Sequence, residues 1–295
     1  MAVRELKFGF VDVFAEHALQ GNPLAVVEGG EDLSDETLRA IAREFNQSET
    51  TFLQSPTLSA DWRLRSFTAS GVEVGGAGHN ALGAWLWLGY QGKLGNLEEP
   101  REFTQELRNV VLPVRIEQRD DLLHGTMTHS ALQISDFEPD LALLAAALGL
   151  RSEDIETHPM PRVAWTGAGH LLVRVRDAAA VDRAAPTAEA LLAALGAEED
   201  RGCYIYALDE GIEARAYARF FNPSVGLHED PATGSAAGPL GGYLSHSGLL
   251  EREQVLTIEQ GTKMGRRSLL EVRAGENITL SGAGVVVLEG NLRIT

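Results

Sequence analysis

Two segments of the chain share an order of residues, and each leads into the glycine-rich start of an apolar helix. The first, RSFTASGVEVGGAGHNALGAWLWLGY, begins at Arg65, and the second, RFFNPSVGLHEDPATGSAAGPLGGYL, begins at Arg219. In both segments a Phe follows the Arg at two residues, and a polar loop precedes the helix. A repeat of this kind favours two similar domains, each a curved sheet around one buried helix. We predict that the two helix starts face a shared cleft, with a domain boundary near residue 130.

The predicted strands come in clusters with single helices between them. REFTQEL, NVVLPVRIEQ and LLHGTMTHS read as an antiparallel meander, and QVLTIEQG, RRSLLEVRA, ENITLSG and GVVVLEGNLRI read as four closing strands. Regular alternation of strand and helix, as in a doubly wound fold, is missing from this pattern. The sequence therefore predicts an α+β fold of two pseudo-symmetric domains, each a barrel-like, mainly antiparallel sheet around a central helix.

The charge balance excludes one class of partner. Lys and Arg number 25 and Asp and Glu number 42, which gives a net charge of −17, and so acidic a surface repels nucleic acid. No segment approaches the ~20 apolar residues of a membrane span, and the N-terminus lacks a signal core. A single cysteine, Cys203, excludes an intramolecular disulfide and suits a reducing compartment. It lies in a predicted strand, where we expect a core position. We expect a soluble cytoplasmic protein that binds neither membranes nor nucleic acid, and a homodimer only as the commonest symmetric assembly.

The glycine-rich segment before the first helix resembles a phosphate-binding loop only superficially. Gly76, Gly78 and Gly83 give G-x-G-x-x-x-x-G without a flanking βαβ unit, so the dinucleotide fingerprint does not fit. A packing turn accounts for the glycines equally well. His79 is harder to explain by packing, because the helix dipole disfavours a protonated ring at this position. A mostly neutral histidine that donates or accepts one proton suits a reaction site.

Glu49 in FNQSETTF is the second candidate. It precedes a strand, where a solvated acid is the commoner interpretation. The apolar alternation around it, however, predicts that the carboxyl is drawn inward. Burial would raise its pKa towards neutrality and suit it to acid–base chemistry.

The third candidate lies in GLHEDPATGSAAG. Asp230 precedes a proline, and Thr233 and Ser235 flank the start of a helix. An Asp-Pro turn with N-capping by Ser or Thr explains the pattern, and the same N–H groups suit ligand binding. Residues 228–230 could also be read as metal ligands, but no partner histidine has ligand spacing, so we predict no metal site.

Four segments together resemble the phenazine-biosynthesis PhzF-like family, whose fold is related to that of diaminopimelate epimerase. They are GNPLAVV (21–27), LRAIAREFNQSETTFL (38–53), GGAGHNALGA (75–84) and EDPATGSAAGPLGGYL (229–244). The resemblance implies two pseudo-symmetric domains with the active site between them. It also implies that the final strand returns to the first domain. The predicted domains are then residues 1–130 with 284–295, and residues 131–283.

The resemblance also implies a cofactor-independent isomerase that acts on a small carboxylate-bearing substrate. The catalytic carboxylate falls on Glu49, which moves a proton between two carbons on one face of the substrate. His79 and Asp230 complete the catalytic set and orient the substrate. The implied substrate-binding residues are Gly78, Asn80, Thr233, Gly234 and Ser235.

Some positions depart from the family pattern. Asn80 stands where a proline is common and Ala81 where a threonine is common, so the resemblance does not carry the phenazine precursor over as substrate. The two thiols of the related epimerases fall on Ala77 and Thr233, which excludes a two-cysteine racemase. Two alternatives stay open: a non-catalytic protein that binds a small acid, and an epimerase that uses a carboxylate/His pair.

Overall fold

The computed structural model describes residues 3–76, 78–196, 201–209 and 214–294. The chain divides into two compact units, which we call unit 1 (Met1–Met127 with Ser281–Thr295) and unit 2 (Thr128–Leu280). The domain bounds expected from the sequence, residues 1–130 with 284–295 and residues 131–283, stay a prediction.

Strands make up most of the regular structure. In chain order within the described ranges they are β1 (Arg4–Val13), β2 (Asn22–Glu28), β3 (Glu49–Gln54), β4 (Trp62–Thr68), β5 (Glu73–Val74), β6 (Arg101–Leu107), β7 (Val110–Arg119), β8 (Leu122–Thr128), β9 (Gln133–Ile134), β10 (Arg162–Trp165), β11 (Gly169–Arg174), β12 (Gly202–Leu208), β13 (Arg215–Asn222), β14 (Leu227–Asp230), β15 (Val255–Gln260), β16 (Ser268–Ala274) and β17 (Ile278–Ile294).

The helices are fewer and mostly short. They are α1 (Asp35–Phe45), α2 (His79–Tyr90), α3 (Leu141–Ala147), α4 (Ala178–Arg183), α5 (Ala188–Leu195) and α6 (Gly234–His246), with 3₁₀ turns at Ser152–Asp154, Pro223–Val225 and Thr262–Met264. Ser34 caps α1, because its hydroxyl accepts a hydrogen bond from the Thr37 N–H. In the part of the chain that the structure describes, no helix has the length and apolar content needed to cross a membrane.

Unit 1 is a closed barrel around α2. Its strands follow the circular order β1, β2, β3, β4, β6, β7, β8 and β17, and β17 pairs with β1 to close the barrel. The predicted meander β6–β7–β8 is antiparallel throughout. Helix α2 packs on β1, β2 and β3 and is buried over most of its length, as its apolar sequence predicts.

Unit 2 repeats the pairing pattern of unit 1. The pairs β10–β11, β12–β13 and β15–β16 are antiparallel, whereas β11–β12 and β13–β15 are parallel. In unit 1 the series β1–β2, β3–β4 and β6–β7 is antiparallel, and β2–β3 and β4–β6 are parallel. Each series surrounds one helix, α2 or α6. The predicted α+β fold of two pseudo-symmetric halves is confirmed.

Glycines let both central helices approach their sheets closely. A Cβ on Gly83 of α2 would lie 2.6 Å from Val13 Cγ2, and one on Gly241 of α6 would lie 2.3 Å from Val272 Cγ1. Side chains at these positions would push the helix off the sheet. The glycine-rich composition is therefore required for packing along each helix body.

The arginine that begins each repeat, Arg65 or Arg219, forms the same interaction in both units. Arg65 donates to both carboxylate oxygens of Glu73 at 2.8 and 2.9 Å, and Arg219 does the same with Glu229 at 2.8 Å. Each guanidinium also stacks on the phenylalanine two residues later, at 5.1 and 4.8 Å from the ring centre. The bidentate pair fixes the hairpin that leads into each central helix.

One sequence prediction about the strands is wrong. ENITLSG and GVVVLEGNLRI are a single strand, β17, and the glycines between them do not form a turn. A Cβ on Gly284 would lie 2.6 Å from Leu86 Cδ1, so this glycine admits the neighbouring helix. The short elements β10, β14 and α4 were not predicted, because four to six residues carry too little periodicity.

The two arginine pairs differ in exposure, which predicts different costs of removal. Arg219 and Glu229 keep only 8% and 9% of their side-chain surfaces exposed, against 16% and 29% for Arg65 and Glu73. Arg219→Met leaves a buried carboxylate unpaired, and we expect it to lower the free energy of unfolding by about 3 kcal/mol. Arg65→Met should cost about 1 kcal/mol, because water reaches Glu73.

Urea unfolding at pH 7 measures both costs. Arg219→Met with Glu229→Gln should recover part of the loss, because the uncompensated charge is then absent. Equal costs for the two single variants would contradict the argument from burial.

Candidate active site

Glu49 is directed at the start of α2 by its place on β3. It is the first residue of the strand and lies beside Thr68 of β4. Side chains alternate along a strand, so Glu49 and Thr51 point to the same face. Thr51 Oγ1 donates a 3.1 Å hydrogen bond to the Asn80 carbonyl in the first turn of α2, so that face is the one α2 covers. There, His79 Nε2 lies 3.1 Å from Glu49 Oε2.

One oxygen of the Glu49 carboxyl, Oε2, is held in dry surroundings. Its side chain keeps 21% of its surface exposed, but Oε2 itself is inaccessible and has no hydrogen bond to any described residue. The His79 ring is close without the geometry of a hydrogen bond. Because no donor compensates for the lost hydration, burial raises the pKa of Glu49 to about 7. Such a carboxyl can take up and release a proton at neutral pH.

Asn80 ties the glycine-rich loop to the sheet. Its side-chain carbonyl accepts a 2.9 Å hydrogen bond from the Gly78 N–H, and its amide donates to Gly76 O at 3.1 Å and Ser66 Oγ at 3.0 Å. Ser66 Oγ in turn lies 2.8 Å from Thr51 Oγ1. The side chain of Asn80 is thus engaged inside the loop. Its assignment as a substrate-binding residue stays a prediction.

In unit 2, the hydroxyl of Thr233 holds Asp230. Asp230 is the last residue of β14, and Thr233 directly precedes α6. Thr233 Oγ1 donates a short hydrogen bond to Asp230 Oδ2, and its side chain makes no capping bond to the helix. The expectation that Thr233 caps α6 is therefore wrong. The hydroxyl orients a nearly buried carboxylate instead.

Gln260 is a residue that sequence reasoning missed. Its amide donates to the Asp230 carbonyl at 2.7 Å and to Thr233 Oγ1 at 3.0 Å. Its carbonyl accepts from the Thr233 N–H at 3.2 Å and from the Tyr204 hydroxyl at 2.9 Å. The side chain is fully buried at the end of β15. A polar residue ending an apolar strand was the available signal, but its partners lie 27 to 56 residues away in the chain.

The start of each central helix presents backbone N–H groups. Gly78 precedes α2, whereas Gly234 and the half-buried Ser235 are the first two residues of α6. No side chain caps either helix, so the first N–H groups are suited to a carboxylate. Ser235 Oγ lies 3.0 Å from His170 Nε2. Ala77, one of the predicted thiol-equivalent positions, lies outside the described residues.

Other reactive groups have structural roles. Cys203 is fully buried in β12, and burial raises the pKa of its thiol to about 12, so the predicted core position is confirmed. Glu229, one of the three residues that could be read as metal ligands, is paired with Arg219. Across the ranges that the structure describes, no group of three or more His, Cys, Asp or Glu side chains is arranged to hold a metal ion.

The raised pKa of Glu49 predicts a pH-dependent stability. The ordinary value is 4.5, so between pH 4.5 and about 7 the folded state binds more protons than the unfolded state. Stability contributed by the neutral carboxyl is therefore lost as the pH rises. Glu49→Gln removes this loss. Its stability relative to the natural protein should increase by about 2 kcal/mol between pH 5.5 and pH 8, in urea unfolding.

Glu106 supplies the control for this measurement. It is also buried, but hydrogen bonds from Thr57 and Leu58 outweigh the effect of burial and lower its pKa. Glu106→Gln should lose stability relative to the natural protein, most strongly at neutral pH. A Glu49→Gln difference that does not change with pH would contradict the dry environment described for Oε2.

The chain is similar to a curated isomerase and to a solved structure of the PhzF family. A curated relative, trans-2,3-dihydro-3-hydroxyanthranilate isomerase of Pseudomonas aeruginosa, is 33% identical over 290 residues, which is 96% of this chain and 98% of the relative. The crystal structure of a Bacillus anthracis phenazine biosynthesis protein of the PhzF family is 26% identical, covers 99% of this chain and 100% of its own, and has a TM-score of 0.88.

A more distant structure shares the fold alone. The hydroxyproline epimerase of Agrobacterium vitis is 13% identical, covers 99% of this chain and 92% of its own, and has a TM-score of 0.65. The model of the PhzC/PhzF family, described as phenazine biosynthesis-like protein, matches residues 11–290. The chain therefore belongs to the PhzC/PhzF phenazine biosynthesis-like family and is an isomerase.

Proposed function

We propose that this isomerase acts on a small carboxylate-bearing substrate by acid–base proton transfer through Glu49, without a cofactor. The supporting observation is the Glu49 Oε2 atom, which is inaccessible, lacks a hydrogen bond among the described residues and lies 3.1 Å from His79 Nε2. With a pKa of about 7, ionised and protonated carboxyls are both populated at neutral pH. One group can therefore act first as a base and then as an acid.

The proposed cycle conserves atoms and electrons. The ionised Glu49 removes a proton from one carbon, and the electrons of the broken C–H bond move into an adjacent π system. The protonated carboxyl then returns the proton to another carbon. The product is an isomer of the substrate, and the carboxylate is regenerated. In this cycle His79, next to the carboxyl at the start of α2, orients the substrate by hydrogen bonding.

The spacing of Glu49 and His79 favours this reaction over epimerisation by the same pair. Two-base epimerisation needs groups on opposite faces of one carbon. Side chains whose reactive atoms are 3.1 Å apart approach a substrate from the same side. Removal and return on one face is the chemistry that this pair supports.

The substrate class follows from anion recognition and from the relatives. The Pseudomonas aeruginosa relative is named for trans-2,3-dihydro-3-hydroxyanthranilate, and we propose a substrate of similar class with a carboxylate. The N–H groups at helix starts suit that carboxylate. Asn80 closes its loop through side-chain hydrogen bonds that a proline could not make, so the exact substrate can differ from that of the relative.

Several sequence-based expectations stay predictions. They are that the residues of both units act on a single substrate molecule, that Asp230 orients it, that the protein is a homodimer and that it works in the cytoplasm. The absence of nucleic-acid binding rests on the net charge of −17.

Glu49→Gln tests the proposed reaction. We expect turnover of trans-2,3-dihydro-3-hydroxyanthranilate, followed by NMR in D₂O, to fall about a thousandfold with little change in substrate affinity. The exposed acid Glu44 is the matched control, and Glu44→Gln should leave turnover unchanged. In the natural protein, kcat/KM should rise with pH through a midpoint near 7, because the base must be ionised.

Two outcomes would contradict the proposal. Turnover of Glu49→Gln within tenfold of the natural protein would remove Glu49 from the reaction. Binding of the acid with no turnover and no deuterium exchange in the natural protein would favour the non-catalytic alternative.

Asp230→Asn tests the contribution of unit 2. We expect kcat/KM to fall at least about tenfold, since the buried carboxylate that accepts the Thr233 hydroxyl is lost. Gln260→Leu should lower kcat/KM as well, because the segment from Asp230 to Thr233 loses three hydrogen bonds to the Gln260 side chain. Asp177, which accepts the Ala180 N–H at the start of α4, is the control, and Asp177→Asn should change stability alone. Unchanged kcat/KM in Asp230→Asn would exclude the role.

A further inference from the structure

His170 is a buried histidine in unit 2 that the proposed reaction does not use. It lies on β11 and has 4% of its surface exposed. Its neighbours Leu171 and Val173 belong to a hydrophobic cluster on one side of the sheet, so the alternation of the strand turns His170 to the opposite side, where α6 packs. A polar ring in this position needs partners for both nitrogens.

Both ring nitrogens have partners. The Gly202 N–H donates to Nδ1 at 3.2 Å, and Nε2 lies 3.0 Å from Ser235 Oγ. A backbone N–H can only donate, so Nδ1 must be the unprotonated nitrogen. Burial lowers the pKa of His170 to about 4, so the ring is neutral at physiological pH. A neutral ring with an unprotonated Nδ1 carries its single proton on Nε2.

The packing around the ring keeps this arrangement in place. Phe220 meets the His170 ring edge-on at 4.8 Å between centres. Gly202 leaves room for Phe220, because a Cβ there would lie 2.3 Å from Phe220 Cζ. Gly202 therefore supplies both the space for the aromatic ring and the N–H that fixes the histidine tautomer.

The consequence falls on Ser235. Since Nε2 carries the proton, His170 donates and Ser235 Oγ accepts. Ser235 Oγ has no other hydrogen-bond partner in the described ranges, and the residue is half-buried at the second position of α6. Its own proton is left to donate to a ligand at the helix start. A histidine that already bears the Nε2 proton cannot accept the serine proton, so the pair does not form a nucleophilic dyad.

We infer that His170 is a positioning residue, which fixes the Ser235 hydroxyl as a hydrogen-bond donor to the substrate carboxylate. This inference rests on the proposed function, because the carboxylate that accepts the Ser235 hydrogen bond belongs to the proposed substrate. Two measurements test it, and the first needs no ligand.

Long-range ¹H–¹⁵N NMR of the full-length labelled protein reads the tautomer directly. The His170 signals are identified by their loss in His170→Gln. We expect a neutral ring with the proton on Nε2, unchanged between pH 6 and pH 9. A proton on Nδ1, or rapid averaging of the two tautomers, would overturn the inference.

The second measurement is the binding of anthranilate, a planar acid whose name forms part of the name of the relative's substrate. Its affinity measures how well Ser235 recognises a carboxylate. Its uncharged counterpart is anthranilamide. Calorimetry should show that the natural protein prefers the acid, and that Ser235→Ala lowers this preference about tenfold. His170→Phe should lower it similarly, and the double variant should be no worse than Ser235→Ala, because His170 acts through the serine.

Two further variants separate positioning from packing. His170→Gln keeps a donor near Ser235 and should stay within about threefold of the natural protein. His129, whose Nδ1 lies 2.8 Å from the Thr166 hydroxyl, is a histidine of the same unit whose ring nitrogen is engaged by Thr166 and not by Ser235, so His129→Gln should leave the preference unchanged. Additive losses in the double variant, or no preference for the acid in the natural protein, would overturn the inference.

The proposed reaction and this inference fail separately. Full turnover by Glu49→Gln would refute the reaction but leave the His170 tautomer and the anthranilate preference as they are. The wrong tautomer would refute the positioning role while proton transfer by Glu49 could still be observed.

Discussion

The dry contact between a strand-end carboxyl and a helix-start imidazole is the constraint on which the rest of the account depends. The alternation of β3 sends Glu49 to the face covered by α2, and the glycine-rich loop brings His79 within 3.1 Å. The approach lacks hydrogen-bond geometry, so desolvation of Oε2 is not offset. The Asn80 hydrogen bonds hold the loop, and the arginine–glutamate pair holds the hairpin before it. Uncompensated burial of the Glu49 carboxylate lowers the stability of the fold at neutral pH and raises the pKa of this side chain towards 7.

The repeated topology places different residue types at equivalent positions of the two halves. Thr50 pairs with Phe67 in unit 1, and Cys203 pairs with Phe221 at the same register in unit 2. The residue before Thr50 is the acid Glu49, whereas the residue before Cys203 is Gly202. The Phe220 ring fills the space beside Gly202, so no carboxyl fits there. Unit 2 therefore has a glycine at the position that Glu49 occupies in unit 1.

The fold was largely predictable from the sequence, and the site was predictable only in part. Repeated order and apolar periodicity are local signals, so the two halves, the buried helices and the core position of Cys203 could all be inferred. Glu49 and His79 stood out through residue type and position. Gln260 and His170 did not, because their roles come from partners thirty or more residues away. The capping role assigned to Thr233 failed because Asp230 competes for its hydroxyl.

Direct titration of the Glu49 carboxyl tests the central claim most directly. Carbon-13 labelling of glutamate side chains, with Glu49→Gln to identify the signal, gives its ionisation midpoint by NMR in the protein without ligand. The account predicts a midpoint near 7, about where burial places the pKa. A midpoint near the ordinary 4.5 would show that Oε2 is hydrated or hydrogen-bonded, and the carboxyl would then lack the property on which the proposed proton transfer rests.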